Sequence, residues 1–135
     1  MGVLTVTLQK VSHLRDADGI GKSDPYVRFS LRQDNLVMDK NFGKMESSKK
    51  ANTLNPVYNE TFTFHSVPNL HKMKLDVTIM DDDIGLDDKI GSVEINLEHA
   101  LLTTTPKDFI HVVDKKRFKL FAKEATIHLA LSFQP

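Results

Sequence analysis

Apolar and polar residues alternate with a period of two through most of the chain. Leu4, Val6 and Leu8 interleave with Thr5, Thr7 and Gln9, which predicts a first strand over about 3–11. Asp24-Pro25 closes the loop that follows, because Pro25 lacks a donor and holds Asp24 extended, and YVRFSL predicts a second strand. The stretch 33–43, QDNLVMDKNFG, has the character of a polar connection with a few apolar anchors, and the basic segment 44–50 predicts strand three. Leu54-Asn55-Pro56 is a turn signal. Phe62 and Phe64 alternate with Thr61 and Thr63 in strand four. Leu75, Val77 and Ile79 do so with Asp76 and Thr78 in strand five. Val93, Ile95 and Leu97 predict strand six, and 97–102 one or two helical turns that TTTPKD ends. RFKLF at 117–121 and the run Ile127, Leu129, Leu131, Phe133 supply the last two strands. Eight short strands with turn signals between them predict an all-β fold, an eight-stranded antiparallel β-sandwich. In an up-and-down traverse the connections 12–24, 51–58 and 81–89 emerge at one end.

A chain of 135 residues is long enough to bury its own core, and residues 1–135 are expected to form a single domain. Lysine plus arginine and aspartate plus glutamate both total 18, so no global field attracts nucleic acid or membrane. Electrostatic function must come from local segregation of charge. The absence of cysteine removes disulfides, thiolate zinc sites and cysteine nucleophiles. The N-terminal VLTVTLQKV alternates where a secretory signal would run apolar, and the longest apolar runs are too short to span a bilayer. Met1-Gly2 lacks the Ser or Thr that a myristoylation motif needs where Val6 stands.

Charge is most concentrated at 77–91, VTIMDDDIGLDDKIG, where Asp81, Asp82, Asp83, Asp87 and Asp88 crowd one loop. Two carboxylates about 4 Å apart repel by roughly 4 kcal/mol in a surface-like dielectric. Something positive is expected to neutralise them. The first connection, SHLRDADGIGKSDPYV, adds Asp16, Asp18 and Asp24 at the same predicted end. Oxygen ligands from two distant loops suit calcium, which takes six to eight oxygens in flexible geometry, better than magnesium with its strict octahedron. DADG and DDDIG resemble the opening of an EF-hand loop, but Val27 and Ser92 stand where its last glutamate belongs, and no helical pattern flanks either. Asp81-Asp82-Asp83 also resembles the strand-end pair of haloacid-dehalogenase-like phosphotransferases, whose parallel sheet and alternating helices this chain lacks.

DGIGKSDPYV, LNPVYNETFTF and DDDIGLDDKIG, in this order and spacing, resemble the C2 domain, the calcium- and phospholipid-binding β-sandwich. The resemblance covers essentially the whole chain. It implies two four-stranded sheets in the type II strand order, since the first strand leads directly into Asp18. By the family's pattern Asp18 and Asp24 would be ligands from the first loop, Asp81 and Asp83 the central pair, and Asp88 the fifth carboxylate. The main-chain carbonyls of Ala17 and Asp82 would complete the shell, and two calcium ions are expected. Three departures stand out: Asp83 to Asp88 is one residue short, so Asp87 competes for the fifth place; Leu86 replaces a further side-chain oxygen; and Tyr58 replaces a tryptophan.

The resemblance implies a non-catalytic module that docks to anionic phospholipid membranes when calcium neutralises the rim, cytoplasmic and reversibly peripheral, monomeric, with no nucleic-acid partner. Ile20, Ile84 and Leu86 are apolar residues among charges at turns, suited either to dip into headgroups or to tuck back. Lys44, Lys49 and Lys50, with Arg28, resemble a basic groove for phosphoinositide headgroups, or else form a solvated strand face that Glu46 interrupts. The alternative function is a calcium-independent protein-interaction or scaffold domain. The histidines have no zinc-site spacing, with His65 and His128 out of phase with their core neighbours, and neither nucleophile elbow nor Walker loop is present.

Overall fold

The computed structural model describes residues 1–14, 24–83, 85–113 and 124–135. Among them are eight strands and no helix: β1 Gly2–Ser12, β2 Pro25–Gln33, β3 Lys40–Glu46, β4 Val57–Val67, β5 Met73–Asp81, β6 Asp88–Asn96, β7 Lys107–Val113 and β8 Ala125–Gln134. They form two four-stranded sheets, β4-β1-β8-β7 and β3-β2-β5-β6, and the strand pairs are antiparallel. The last strand closes between β1 and β7, as the expected type II order requires.

Alternation decides which face of each strand is dry. Leu4, Val6 and Leu8 of β1 stand beside Phe133, Leu131 and Leu129 of β8. In the other sheet Val27, Phe29 and Leu31 of β2 stand beside Ile79, Val77 and Leu75 of β5. All of these side chains are buried between the sheets. The Phe29 and Phe62 rings meet across that interface at 5.2 Å, tilted by 45°, an arrangement aromatic pairs favour. Because side chains alternate strictly, a one-residue slip would turn every core residue outward, and the register is correspondingly firm.

Four expectations need correction. Strand seven is Lys107–Val113, directly after Pro106; RFKLF at 117–121 lies outside the described residues. Phe109, His111 and Val113 face inward beside Leu129, Ile127 and Ala125, while the exposed Ile110 blurs the alternation. Strand three begins at Lys40 and ends at Glu46, not 44–50. Its ladder stops because the Ser47 hydroxyl, in place of a main-chain carbonyl, accepts Val27 N at 2.8 Å. In the connection 34–39 the apolar residues are not anchors: Leu36, Val37 and Met38 project into solvent, and the residue packed against the core is Phe42 of β3. Residues 97–101 form a turn without helix, held by Ala100 N donating to Leu97 O at 3.3 Å.

Candidate functional site

The described parts of three connections meet at one end of the sandwich: 13–24 after β1, 47–56 after β3 and 82–87 after β5. Main-chain bonds stitch them together. Leu14 N donates to Leu54 O at 3.0 Å, Lys50 N to Pro25 O at 3.1 Å, and Asp82 N to Asp24 O at 3.1 Å. His13, in the left-handed region at φ 60°, donates its N–H to Asn55 Oδ1 at 2.9 Å. The common end expected for these loops is therefore present.

Asp24 is the junction. Its N–H donates to Asp81 Oδ1 at 2.9 Å, its carbonyl accepts Asp82 N, and its Oδ1 accepts Asn52 N at 2.7 Å. A loop-one aspartate is thus fixed against a loop-three aspartate 57 residues away. Asp81 is only 2% exposed and stands directly across the ladder from Asp88, the first residue of β6. Like charges directly opposite on neighbouring strands destabilise a sheet, so this geometry concentrates negative potential at the base of the rim. Asp83 and Leu86 are exposed above it.

Asp87 has a different assignment from its neighbours. Its Oδ2 accepts the Tyr26 hydroxyl at 2.5 Å and its Oδ1 accepts Asp83 N at 3.2 Å. Those bonds, the tyrosine's first, hold the Asp87 carboxyl below the usual carboxylate range. The same bond, with burial behind it, pushes the Tyr26 phenol up to about 12. Lys49 Nζ lies 3.2 Å from Asp82 Oδ1 and 5.3 Å from the centre of the Tyr26 ring, a cation over an aromatic face. Sequence reasoning missed this Lys49–Tyr26–Asp87 chain. The periodicity places Tyr26 on the outer face but carries no signal for what faces it across the sheet.

The four basic residues lie on β2, on β3 and in the connection that follows β3. Arg28 Nε is paired with Glu46 Oε2 at 2.7 Å, and Lys44 stands opposite Ser30. Lys49 and Lys50 belong to the 47–56 connection, with Lys50 Nζ 5.7 Å from the Tyr58 ring centre. Tyr58, at the family's tryptophan position, donates its hydroxyl to Pro25 O at 2.7 Å. Burial pushes its phenol well above the usual range. Ala17, Asp18, Ile20 and Ile84 lie outside the described residues. Among the described residues no group of three or more His, Asp or Glu side chains is arranged to hold a metal ion. The donor chemistry present, carboxylate and carbonyl oxygen, is that of a hard cation.

A model of the C2 domain matches residues 2–118. The chain belongs to the C2 domain family. This C2 domain is 43% identical over 95 residues to Synaptotagmin-1 of Pongo abelii, a match covering 68% of this chain and 22% of that protein. The chain thus spans about a fifth of the length of the curated relatives it matches. In fold it is similar to a C2 domain of plant Extended Synaptotagmin 1, with TM-score 0.77 and 24% identity over 99% of this chain and 95% of that one. It is likewise similar to the calcium-bound pair of C2 domains of Extended-Synaptotagmin 2, with TM-score 0.66 and 24% identity over 98% of this chain and 45% of that one.

Proposed function

We propose that this C2 domain is a calcium-dependent module that docks to anionic phospholipid membranes through its aspartate rim. The observation that carries this is the clamp of Asp24 on Asp81 and Asp82, which gathers carboxylates distant in sequence at one exposed end. Asp18, Asp24, Asp81, Asp83 and Asp88, with the carbonyls of Ala17 and Asp82, are the residues that would hold two ions. Calcium would supply the positive charge that offsets the rim's repulsion and open coordination positions for lipid phosphate. The chain's own part is to position and tune. Asp24 ties the loops into one body, and the Lys49 ammonium offsets part of the charge at Asp82. Tyr26 occupies Asp87 Oδ2, which supports Asp88, opposite Asp81, as the fifth carboxylate. Leu86, 85% exposed, would enter the headgroup region, as would Ile20 and Ile84. In this role the domain is non-catalytic, monomeric, cytoplasmic and reversibly peripheral.

Co-sedimentation with phosphatidylserine vesicles tests it. The parent should pellet in calcium and stay soluble in chelator, and the combined Asp81→Asn, Asp83→Asn variant should stay soluble in both. Equal pelleting of the parent in both buffers, or none in either, would instead favour a calcium-independent protein-interaction domain.

A further inference from the structure

β5 and β6 meet at the rim through a bulge. Ile79 stands opposite Gly91, but Met80 stands opposite Lys89 and Asp81 opposite Asp88, so Ile90 is the extra residue. Bulges re-aim the side chains beyond them and are frequent beside functional sites. This one decides which carboxylate faces Asp81. Without it Lys89 would stand there, and with one more extra residue Asp87 would. In the observed register Pro25 and Asp81 stand side by side and share the face of Val27 and Ile79, which are buried between the sheets. Asp88, opposite Asp81, lies on that same face. Tyr26, Met80 and Lys89 stand side by side on the outer face, and there Asp87 meets Tyr26.

Neither charge nor exposure chooses between the two aspartates, since both are exposed. Loop length does not choose either, because Asp83 to Asp88 is one residue short of the family's pattern. The Tyr26 hydroxyl does. It donates to Asp87 Oδ2 at 2.5 Å, while Asp83 N donates to Asp87 Oδ1 at 3.2 Å. The phenol is a fixed point: Tyr26 is 3% exposed, with Lys49 Nζ 5.3 Å from its ring centre and 3.2 Å from Asp82 Oδ1. A one-residue slip would carry Asp87 to the opposite face and break its bond to the phenol. We propose, resting on the calcium reading above, that Tyr26 is a positioning residue. By capturing Asp87 on the outer face it locks the register in which Asp88, and not Asp87, is presented to the ions.

Calorimetric titration with calcium chloride tests this on chelator-stripped parent, Asp87→Asn and Asp88→Asn, and on the same three carrying Tyr26→Phe. Phenylalanine removes only the hydroxyl and should melt like tyrosine. Both asparagines remove one charge, so the difference between them reads coordination and not field. With Tyr26 present, Asp88→Asn should weaken the Kd at least about tenfold more than Asp87→Asn. With Tyr26→Phe the difference should shrink to within about threefold or reverse, a change of ligand that packing alone would not produce. Tyr26→Met, a second way of removing the hydroxyl, should do the same. Equal losses from the two asparagines in the presence of Tyr26 would overturn the proposal, as would a tenfold difference that survives either substitution of Tyr26. No calcium heat with the parent would overturn the function proposed above, and this role of Tyr26 with it.

Discussion

Ser47 tests whether the hydroxyl that ends β3 holds the rim in place. Its side chain is buried, accepts Val27 N at 2.8 Å and donates to Ser48 O at 2.9 Å, while Ser47 N donates to Val27 O at 2.8 Å. Ser47→Ala removes the acceptor and strands Val27 N–H inside the sheet, where water cannot replace it. An unsatisfied buried donor costs about 1–3 kcal/mol, and the missing oxygen leaves a small void besides. The expected loss is about 2 kcal/mol, read as a lower urea midpoint at constant m-value, or a fall of roughly 6–8 °C in Tm for a domain of this size. Ser47→Thr, which keeps the acceptor, should recover most of it. Amide exchange should quicken at Asn52, whose N–H reaches Asp24 Oδ1 through the connection that Ser47 starts. A loss below about 0.5 kcal/mol, or a threonine variant as weak as the alanine, would show that the β2–β3 exit is not held by this hydroxyl.

Leu86→Asp should weaken calcium-dependent pelleting with phosphatidylserine vesicles while leaving Tm unchanged, because the side chain is exposed; vesicle binding equal to the parent's would remove Leu86 from the docking surface. His128 is held below its usual value of 6.5 by burial first and then by Lys10, which stands opposite it. The fold therefore favours the neutral ring. As pH falls through about 6.5, the unfolded chain takes up the proton first, so this contribution to stability is present above that pH and lost below it. His128→Gln should flatten the dependence of the urea midpoint between about pH 7 and about pH 5.5, and an unchanged slope would refute the assignment. Gly2→Ala should destabilise by about 1–3 kcal/mol through overpacking, since the new Cβ would lie 2.5 Å from Phe133 Cζ and 2.9 Å from Gln134 O. A thermal melt that matches the parent would mean the start of β1 can shift without cost.

Much of the fold was legible because a strand's facing pattern is a local property. Leu4, Val6 and Leu8 announce a dry face whatever they pair with, and Phe62, Phe64 and Leu75 to Ile79 do the same. The order of turns then placed three connections at one end, and the aspartates in two of them marked that end as the chemically unusual one. Where the alternation is interrupted, pattern alone misleads. Exposed Ile110 hid β7, and a serine hydroxyl ended β3 where its lysines promised continuation.

Tertiary structure alone decided the partners. That Asp24 should clamp Asp81, that Tyr26 should take Asp87 and leave Asp88 facing Asp81, and that Lys49 should rest on Asp82 all depend on which strands lie side by side. Sequence spacing does not encode that. The same holds for Leu36, Val37 and Met38. In a loop no period relates a residue to the core, so an apolar anchor and an exposed apolar residue have the same sequence, and only the packed sandwich shows that these three are exposed.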